Sequence, residues 1–569
     1  MIRTKNWVLL IILLMAAFLR LWNLGSIPPG LTPDEASLGY NAYSILKTGR
    51  DEYGELMPIV FKSFGDYKAG LYVYLTVPFV ALLGLTEFAI RLPSAVAGVT
   101  AVWLVYKIVN ELMSYGLGVR SSRYLTHNAQ TQNEITALTA SLILAINPWH
   151  IHYSRGAWEA NVSLTLTLTG ILFFLKSFKN SKFLIASSIL FSLTILTYQG
   201  AKLSSFIVAV TLILTFWKES KYLIRNNFTI VVQMTVVGFI LISPILLSMF
   251  QGRAGRLEVF SIFSYRRPIE QVQEMTSQSS EVIGGLSYKL YHSEDLNYFR
   301  AILGRWFNHI SSRFLIFTGD WQNLRHSIPN HGLLLLADLL FLIIGFAALI
   351  KKKSKATIFI FIWLVLAPLP SALSRDQVHA VRALNMVIPL TLISSVGAFT
   401  VIKYISKLNR LRVAGYGLFF TFYLLPFTLF LDSYFVHLPN HNAKYWFYGY
   451  KEAVDEVIQI LDKYDTVVFQ QSYDQPYIYF LFNQKYDPVK FQKQAKLKDG
   501  GVDVGLVERL DNISFESFSW PHRTDRKNIL IVGNPVGIPA LINEKDFNLI
   551  KEIKYPDGFE TAFRIVEVK

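Results

Sequence analysis

Two neighbouring carboxylates, Asp34 and Glu35, follow the run Ile27-Pro28-Pro29-Gly30-Leu31-Thr32-Pro33, about ten residues past the first membrane-length apolar stretch. A carboxylate held at the lip of a membrane protein is placed to act as a general base, taking a proton from a hydroxyl, a role worth roughly 10²–10⁴-fold in rate. Turns that fall on the same side of the membrane carry Arg155 and Arg382, with His152 and His379 beside them. A guanidinium presents a planar fork of donors that matches a phosphate. Each residue also has a plainer reading. Asp34 after Pro33 suits the N-cap of a helix starting near Glu35, arginines at a membrane edge serve as anchors, and an interfacial histidine more often makes a hydrogen bond than acts as acid, base or ligand.

The elements that must position these groups are membrane helices. Of 569 residues, 52% are hydrophobic and only 17% charged, which excludes a set of soluble domains. A hydrocarbon core of roughly 30 Å needs about 20 apolar helical residues. Eleven stretches meet that need, within a range of nine to thirteen: 7–24, 92–110, 134–150, 160–176, 182–199, 203–217, 228–250, 332–350, 355–371, 383–402 and 412–431. The first lacks a small-residue cleavage site and reads as a retained helix.

Lysine and arginine in short loops resist translocation, so the basic loops mark the cytoplasmic side. Arg3 and Lys5 are basic, and so is every second connection: Lys107 with Arg120 and Arg123; Lys176, Lys179 and Lys182; Lys218, Lys221 and Arg225; Lys351, Lys352, Lys353 and Lys355; Lys403, Lys407, Arg410 and Arg412. This alternation puts the N-terminus inside. Outside fall a first loop over 25–91, the 147–155, 198–202 and 372–382 turns, a long loop over 251–331 and everything past 432. A span over the apolar Gly70–Leu85 segment would invert the pattern. It is therefore predicted as a juxtamembrane helix, with Tyr72 and Tyr74 at interfacial depth. Asp51, Glu52 and Glu55 in the same loop read as solvated.

The net charge of +15 belongs to the membrane part, because residues 432–569 hold 17 Lys and Arg against 20 Asp and Glu. Topology and an anionic lipid or phosphate ligand explain that excess; no nucleic-acid module is present. Residues 432–569 have soluble composition, with a helical stretch from Tyr450 to Tyr464 and β-runs at Thr466–Phe469, Ile529–Val532 and Ala562–Val568, which predicts a small α/β domain. The aromatic patch Tyr445–Tyr450 suits a belt that seats this domain on the bilayer, or a sugar-stacking surface. No cysteine occurs, so disulfides, Cys-based zinc sites and Cys nucleophiles are excluded. No Gly-rich phosphate loop is joined to a strand.

Pro33-Asp34-Glu35, then Asp66-Tyr67-Lys68, then Arg91-Leu92-Pro93-Ser94-Ala95-Val96-Ala97-Gly98, then Asn147-Pro148-Trp149-His150-Ile151-His152-Tyr153-Ser154-Arg155 form an order that resembles the GT-C glycosyltransferases, and within them the protein O-mannosyltransferase and lipid A aminoarabinose transferase branch. The likeness runs over about 20–215 and more loosely through His379-Ala380-Val381-Arg382. It implies a polytopic GT-C fold with juxtamembrane helices in the first outer loop, a catalytic membrane part over 1–431 and an extracytoplasmic α/β domain over 432–569. It further implies a cell-membrane hexosyl- or pentosyltransferase. Such an enzyme moves a monosaccharide from a polyprenyl-phosphate donor to a hydroxyl acceptor on the outer face, with inversion. By resemblance Asp34 is the base, and Glu35 supports it by pairing with Arg91, since a carboxylate near the bilayer is costly unless neutralised. Lys68 matches the lysine that meets the lipid phosphate, and Arg91, Arg155, His379 and Arg382 complete the expected donor-phosphate set. No cofactor is implied with certainty. A divalent metal is compatible with the family but not indicated, because Tyr67 stands where the aminoarabinose transferases carry an acidic residue.

The 251–331 loop carries more arginines than an outer loop needs, namely Arg253, Arg256, Arg266, Arg267, Arg300, Arg305, Arg313 and Arg325, with Trp306 and Trp321 available to stack on sugars. Two rival classes remain. A transporter or flippase should place charges or broken helices near the bilayer midplane, whereas the candidates here cluster at one face. A GT-C enzyme for whole glycans, if an oligosaccharyltransferase, should carry a Trp-Trp-Asp motif, and no two tryptophans are adjacent.

Overall fold

The computed structural model describes residues 2–117, 127–251, 261–408, 411–471, 475–499, 505–521, 528–542 and 545–569; Arg120, Arg123, Arg253, Arg256 and Arg410 lie outside the described residues. A helix stands at each of the eleven apolar stretches, from Ile2–Leu21 to Arg412–Asp432, as hydrocarbon requires of a backbone that must satisfy its own hydrogen bonds. Among the described residues, six helices are long and apolar enough to cross a membrane: Glu87–Tyr115, Glu159–Ser177, Phe228–Phe250, Lys355–Ala372, Leu384–Ile405 and Arg412–His441. Ala201–Thr215 and Trp217–Asn226, bent by 86°, make a seventh if taken as one span. The other expected spans are helices that fall short in length or hydropathy. Phe183–Ile195, for example, has 13 residues, about 20 Å at ~1.5 Å per residue.

The helices pack by close backbone approach. A methyl group on Gly345 would meet the Ile393 carbonyl oxygen at 2.0 Å, and one on Gly397 would meet that of Phe341 at 1.9 Å. Helices Leu336–Ile350 and Val387–Ile405 therefore touch along a glycine seam, the small-residue contact that lets membrane helices gain dispersion energy without a hydrophobic drive.

The first loop, expected outside, holds a helix at Pro33–Thr48, a hairpin of β1 (Val60–Ser63) with β2 (Asp66–Ala69), and a 13-residue helix at Leu71–Leu83. Leu71–Leu83 is too short to span. Tyr72 is not at an interface: it is buried and its hydroxyl donates to the Ile90 carbonyl (2.9 Å), while Tyr74 donates to that of Pro58 (2.8 Å).

Past Thr466 the chain builds a mixed sheet. Its strands are β3 (Thr466–Gln470), β6 (Arg509–Leu510), β7 (Ile513–Glu516), β8 (Ile529–Gly533), β9 (Phe547–Lys554) and β10 (Thr561–Val568), in the order β6-β7-β3-β8-β10-β9. A separate short pair joins β4 (Leu497–Asp499) to β5 (Gly505–Val507). β3 runs parallel to β7 and β8, and its Val-Val-Phe core suits a central strand covered on both faces. The three β-runs of the sequence are β3, β8 and β10; the polar edge strands β6 and β9 have no such signal.

The sheet region is fastened to the first outer loop. Tyr40 donates to the Tyr486 carbonyl (3.1 Å), Tyr479 to that of Leu31 (3.0 Å) and Gln492 to that of Asp51 (2.8 Å). One apolar cluster joins Ala36, Leu38 and Tyr72 to Tyr477, Phe480 and Phe482. Two residues of the aromatic patch face inward. Trp446 is fully buried against Arg91 and Trp158, and Tyr450 stacks on Tyr479 at 4.1 Å between ring centres. That packing withdraws both from the expected belt, while Tyr445, Phe447 and Tyr448 stay partly exposed.

Candidate active site

Thr32 begins the site. Its hydroxyl accepts from the Glu35 backbone N–H (3.2 Å) while the Glu35 carboxylate accepts from the Thr32 N–H (3.2 Å), a reciprocal capping box for the Pro33–Thr48 helix. The cap is thus Thr32, and Asp34 does not serve as one. Glu35 also accepts from Nε of Arg91 (3.0 Å), from its second terminal nitrogen (3.2 Å) and from the Ala157 N–H (2.8 Å). Arg91 spends its remaining donors on the carbonyls of Leu24 (3.1 Å), Pro28 (3.0 Å) and Gly30 (2.7 Å). This buried pair ties the Pro28–Thr32 turn, the Glu87–Leu112 helix and the 155–158 turn into one body. Gly30, at φ 74°, lies so close to the Trp446 carbonyl that a Cβ would meet it at 2.3 Å.

Asp34, one residue toward the rim, pairs with Lys68. Lys68 is 6% exposed on β2 and Asp34 is 49% exposed, so the cation lies beneath and the carboxylate opens outward. Behind Lys68 stands Glu52, which the sequence reading left in solvent and the structure buries completely. Glu52 accepts from the Asn41 side chain (3.0 Å) and Ser37 hydroxyl (3.4 Å) of the same helix. Burial pushes its carboxyl up to about 8, against the pull of those hydrogen bonds and of Lys68. Asp51 is buried as well. Its carboxylate takes the backbone N–H groups of Tyr53 (2.9 Å) and Glu55 (2.8 Å), and burial still pushes it up. On the other flank Gln199 donates to the Tyr67 carbonyl and accepts from Lys202 (2.9 Å), so the 198–202 turn steadies β2.

The remaining cations divide. Arg155 is fully buried, donates to the carbonyls of Leu19 (2.8 Å), Trp22 (2.7 Å) and Ile27 (2.9 Å), and lies over the Phe435 ring at 4.9 Å. Arg91 and Arg155 therefore hold the loop in place: Arg91 gives its donors to Glu35 and three carbonyls, and Arg155 gives its terminal nitrogens to three carbonyls while its buried Nε has no hydrogen-bond partner. Arg382 pairs with Asp376 (2.6 Å) near the surface. His379 receives the Arg382 N–H weakly (3.4 Å) and packs on His326; burial keeps it uncharged, far below the usual histidine range. Trp306 donates to the Val365 carbonyl (2.7 Å) and Trp321 lies under Arg313 (4.3 Å), so both tryptophans brace the long loop.

Arg325 is the residue that sequence reasoning did not single out. Its carbonyl accepts from His152 (2.9 Å), and its Nε is buried with no hydrogen-bond partner. Burial drives the Tyr479 hydroxyl well above its ordinary range; Tyr450, Glu35 and Asp34 add to that while Arg325 opposes it. A cavity of about 190 Å³ lies between Gly25–Leu31 and Phe447–Glu452, with Tyr479 in its wall.

Membrane-length helices, a folded first outer loop and a terminal sheet define a multi-pass membrane protein of the GT-C fold. The solved structures give particular comparisons. ArnT from Cupriavidus metallidurans bound to undecaprenyl phosphate superposes with a TM-score of 0.52 at 12% identity, over 99% of this chain and 98% of that one. The apo form of that protein gives 0.48 at 12% identity, over 85% of each chain. The archaeal oligosaccharyltransferase AglB from Archaeoglobus fulgidus, in complex with an inhibitory peptide and a dolichol-phosphate, gives 0.48 at 10% identity, over 84% of this chain and 63% of that one. No protein-family model and no curated protein matches the sequence.

Proposed function

We propose that this protein is a membrane glycosyltransferase that moves a monosaccharide from a polyprenyl-phosphate donor to an acceptor hydroxyl on the extracytoplasmic face. The observation that carries the reading is the Asp34–Lys68 pair, a half-exposed carboxylate over a buried ammonium, in a fold shared with a structure that binds undecaprenyl phosphate. An arriving donor phosphate competes with Asp34 for Lys68. Once Lys68 turns to the phosphate, Asp34 is released as a base for the acceptor proton. The acceptor oxygen attacks the anomeric carbon opposite the leaving phosphate, which inverts the centre, and Lys68 holds the growing phosphate charge. Glu35 and Arg91 set the position of Asp34 by fixing the turn before it. Residues 1–431 form the catalytic membrane part and 432–569 the outer domain that closes over it.

The test is turnover of purified protein with a panel of polyprenyl-phosphate monosaccharides. Asp34→Asn is expected to lose on the order of 10²-fold or more in rate. Unchanged turnover in that variant would remove the base assignment, and no turnover of any lipid donor by the wild type would favour the transporter class.

A further inference from the structure

A second cluster of polar side chains lies where the Asp320–Ser327 turn meets the turn before Leu384. Asp320 is wholly buried; one carboxylate oxygen accepts from the backbone N–H groups of Gln322 (3.2 Å) and Asn323 (3.0 Å), and the other from that of Ala380 (2.8 Å). His326, 3% exposed, sets Nδ1 3.5 Å from the second oxygen, and this buried nitrogen has no hydrogen-bond partner. The His379 ring centre lies 4.8 Å from that of His326. One ligand atom from each of Asp320, His326 and His379 falls within 4.8 Å of the others. His309 borders the group but is spent, giving Nδ1–H to the Arg305 carbonyl (2.7 Å) and accepting the His379 backbone N–H (3.2 Å) on Nε2.

We infer that Asp320, His326 and His379 form a site for a divalent transition metal of the zinc type, with a fourth position open. Two imidazoles and one carboxylate are a donor set for such an ion, whereas calcium and magnesium draw on six or more oxygens. Ligands about 2.0–2.2 Å from a tetrahedral zinc stand roughly 3.3–3.5 Å from one another. The Asp320–His326 separation of 3.5 Å already meets this, and the third ligand atom, on His379, lies within 4.8 Å of both. The three backbone N–H groups on Asp320 aim its carboxylate, the outer-shell support that metal ligands need. A metal also gives the stranded Nδ1 of His326 a partner. Two cations stand close: Arg382 is neutralised by Asp376, and Arg325 precedes His326 in the chain. Their charge weakens the hold and sets a modest affinity. The ion clamps the turn that carries Arg325 to the turn that carries Arg382, fixing the spacing of two guanidinium groups. In this assignment His379 leaves the donor-phosphate set.

The inference stands apart from the transferase reading, and its test needs no turnover. Full-length protein is prepared in detergent with a non-histidine affinity tag, stripped with chelator and titrated with Co²⁺ and Zn²⁺. Wild type is expected to bind one ion per chain, to show the visible absorption of low-coordinate Co²⁺, and to gain thermal stability with Zn²⁺. His326→Ala and Asp320→Asn are expected to lose roughly 10-fold or more in affinity and to show no Zn²⁺-dependent gain. Equal uptake by wild type and His326→Ala overturns the site. Should the variants fail to fold, wild type alone decides: a melting midpoint that does not move with Zn²⁺, or no Co²⁺ absorption, overturns it as well.

Discussion

Asp34 and Glu35 are adjacent in sequence and opposite in surroundings. Glu35 is enclosed by Arg91, two backbone N–H groups and the helix cap, whereas Asp34 faces the rim beside Lys68. Removing one partner of a buried, hydrogen-bonded ion pair costs about 3–5 kcal/mol. Glu35→Ala should therefore lower the thermal midpoint markedly, while Asp34→Asn, at a half-exposed carboxylate, should lower it less; thermal unfolding in detergent separates the two. Glu52 gives a pH signature. Its folded carboxyl is raised from 4.5 to about 8, so the native state holds a proton that the unfolded chain has released. That contribution is whole below about pH 4.5, declines as pH rises and is gone above about pH 8. Glu52→Gln should flatten that slope in a pH series of melting curves. Pairing of Glu35 with Arg91 was legible through the family resemblance, and a carboxylate near lipid needs a counter-charge. Burial of Glu52 was not, because it depends on Ser37 and Asn41 turning one face of the same helix toward it. Arg325 was hidden among eight arginines whose roles only tertiary contacts distinguish.

Helix positions follow from apolar runs, so all eleven were legible as elements. Their lengths were not, since turns and capping residues cut into runs that composition alone leaves continuous. The glycine seam between Leu336–Ile350 and Val387–Ile405 was equally invisible, because isolated glycines in apolar helices carry no partner label. It makes a direct prediction. Gly397→Ala puts a methyl group 1.9 Å from the Phe341 carbonyl oxygen, so the helices must part, at about 1–3 kcal/mol by analogy with overpacked cores. Thermal unfolding with Ala398→Gly as a control for helix propensity measures it. The first loop shows the complementary case: Gly70–Leu85 is apolar enough for a span, loop charges predict that it does not cross, and its helix has 13 residues, the same length as Phe183–Ile195.

Across the whole molecule the charge alternation predicts which end of the bundle meets the cytoplasm. The absence of cysteine makes this testable with single introduced thiols. On intact cells a membrane-impermeant maleimide should label Glu508→Cys, on the exposed sheet region, and leave Lys351→Cys unlabelled until the membrane is opened. The reverse pattern would sink the proposed orientation. The existence of the α/β region was legible from its shift in composition. Its docking onto the first outer loop was not, because Tyr40, Tyr479 and Phe482 advertise burial without saying against what.

That docking also sets a clock. Leu31 and Tyr479 are hydrogen-bonded across 448 positions of chain. At about 5–20 residues per second of synthesis, the Pro33–Thr48 helix waits on the order of half a minute or more for the residues that cover it. The carboxylates and their partners Lys68, Arg91 and Ala157 are made early, and the aromatic residues that cover their helix among the last. A nascent chain therefore carries the Pro33–Thr48 helix without its aromatic cover until the distal residues emerge. Its maturation is timed by translation of its own distal third.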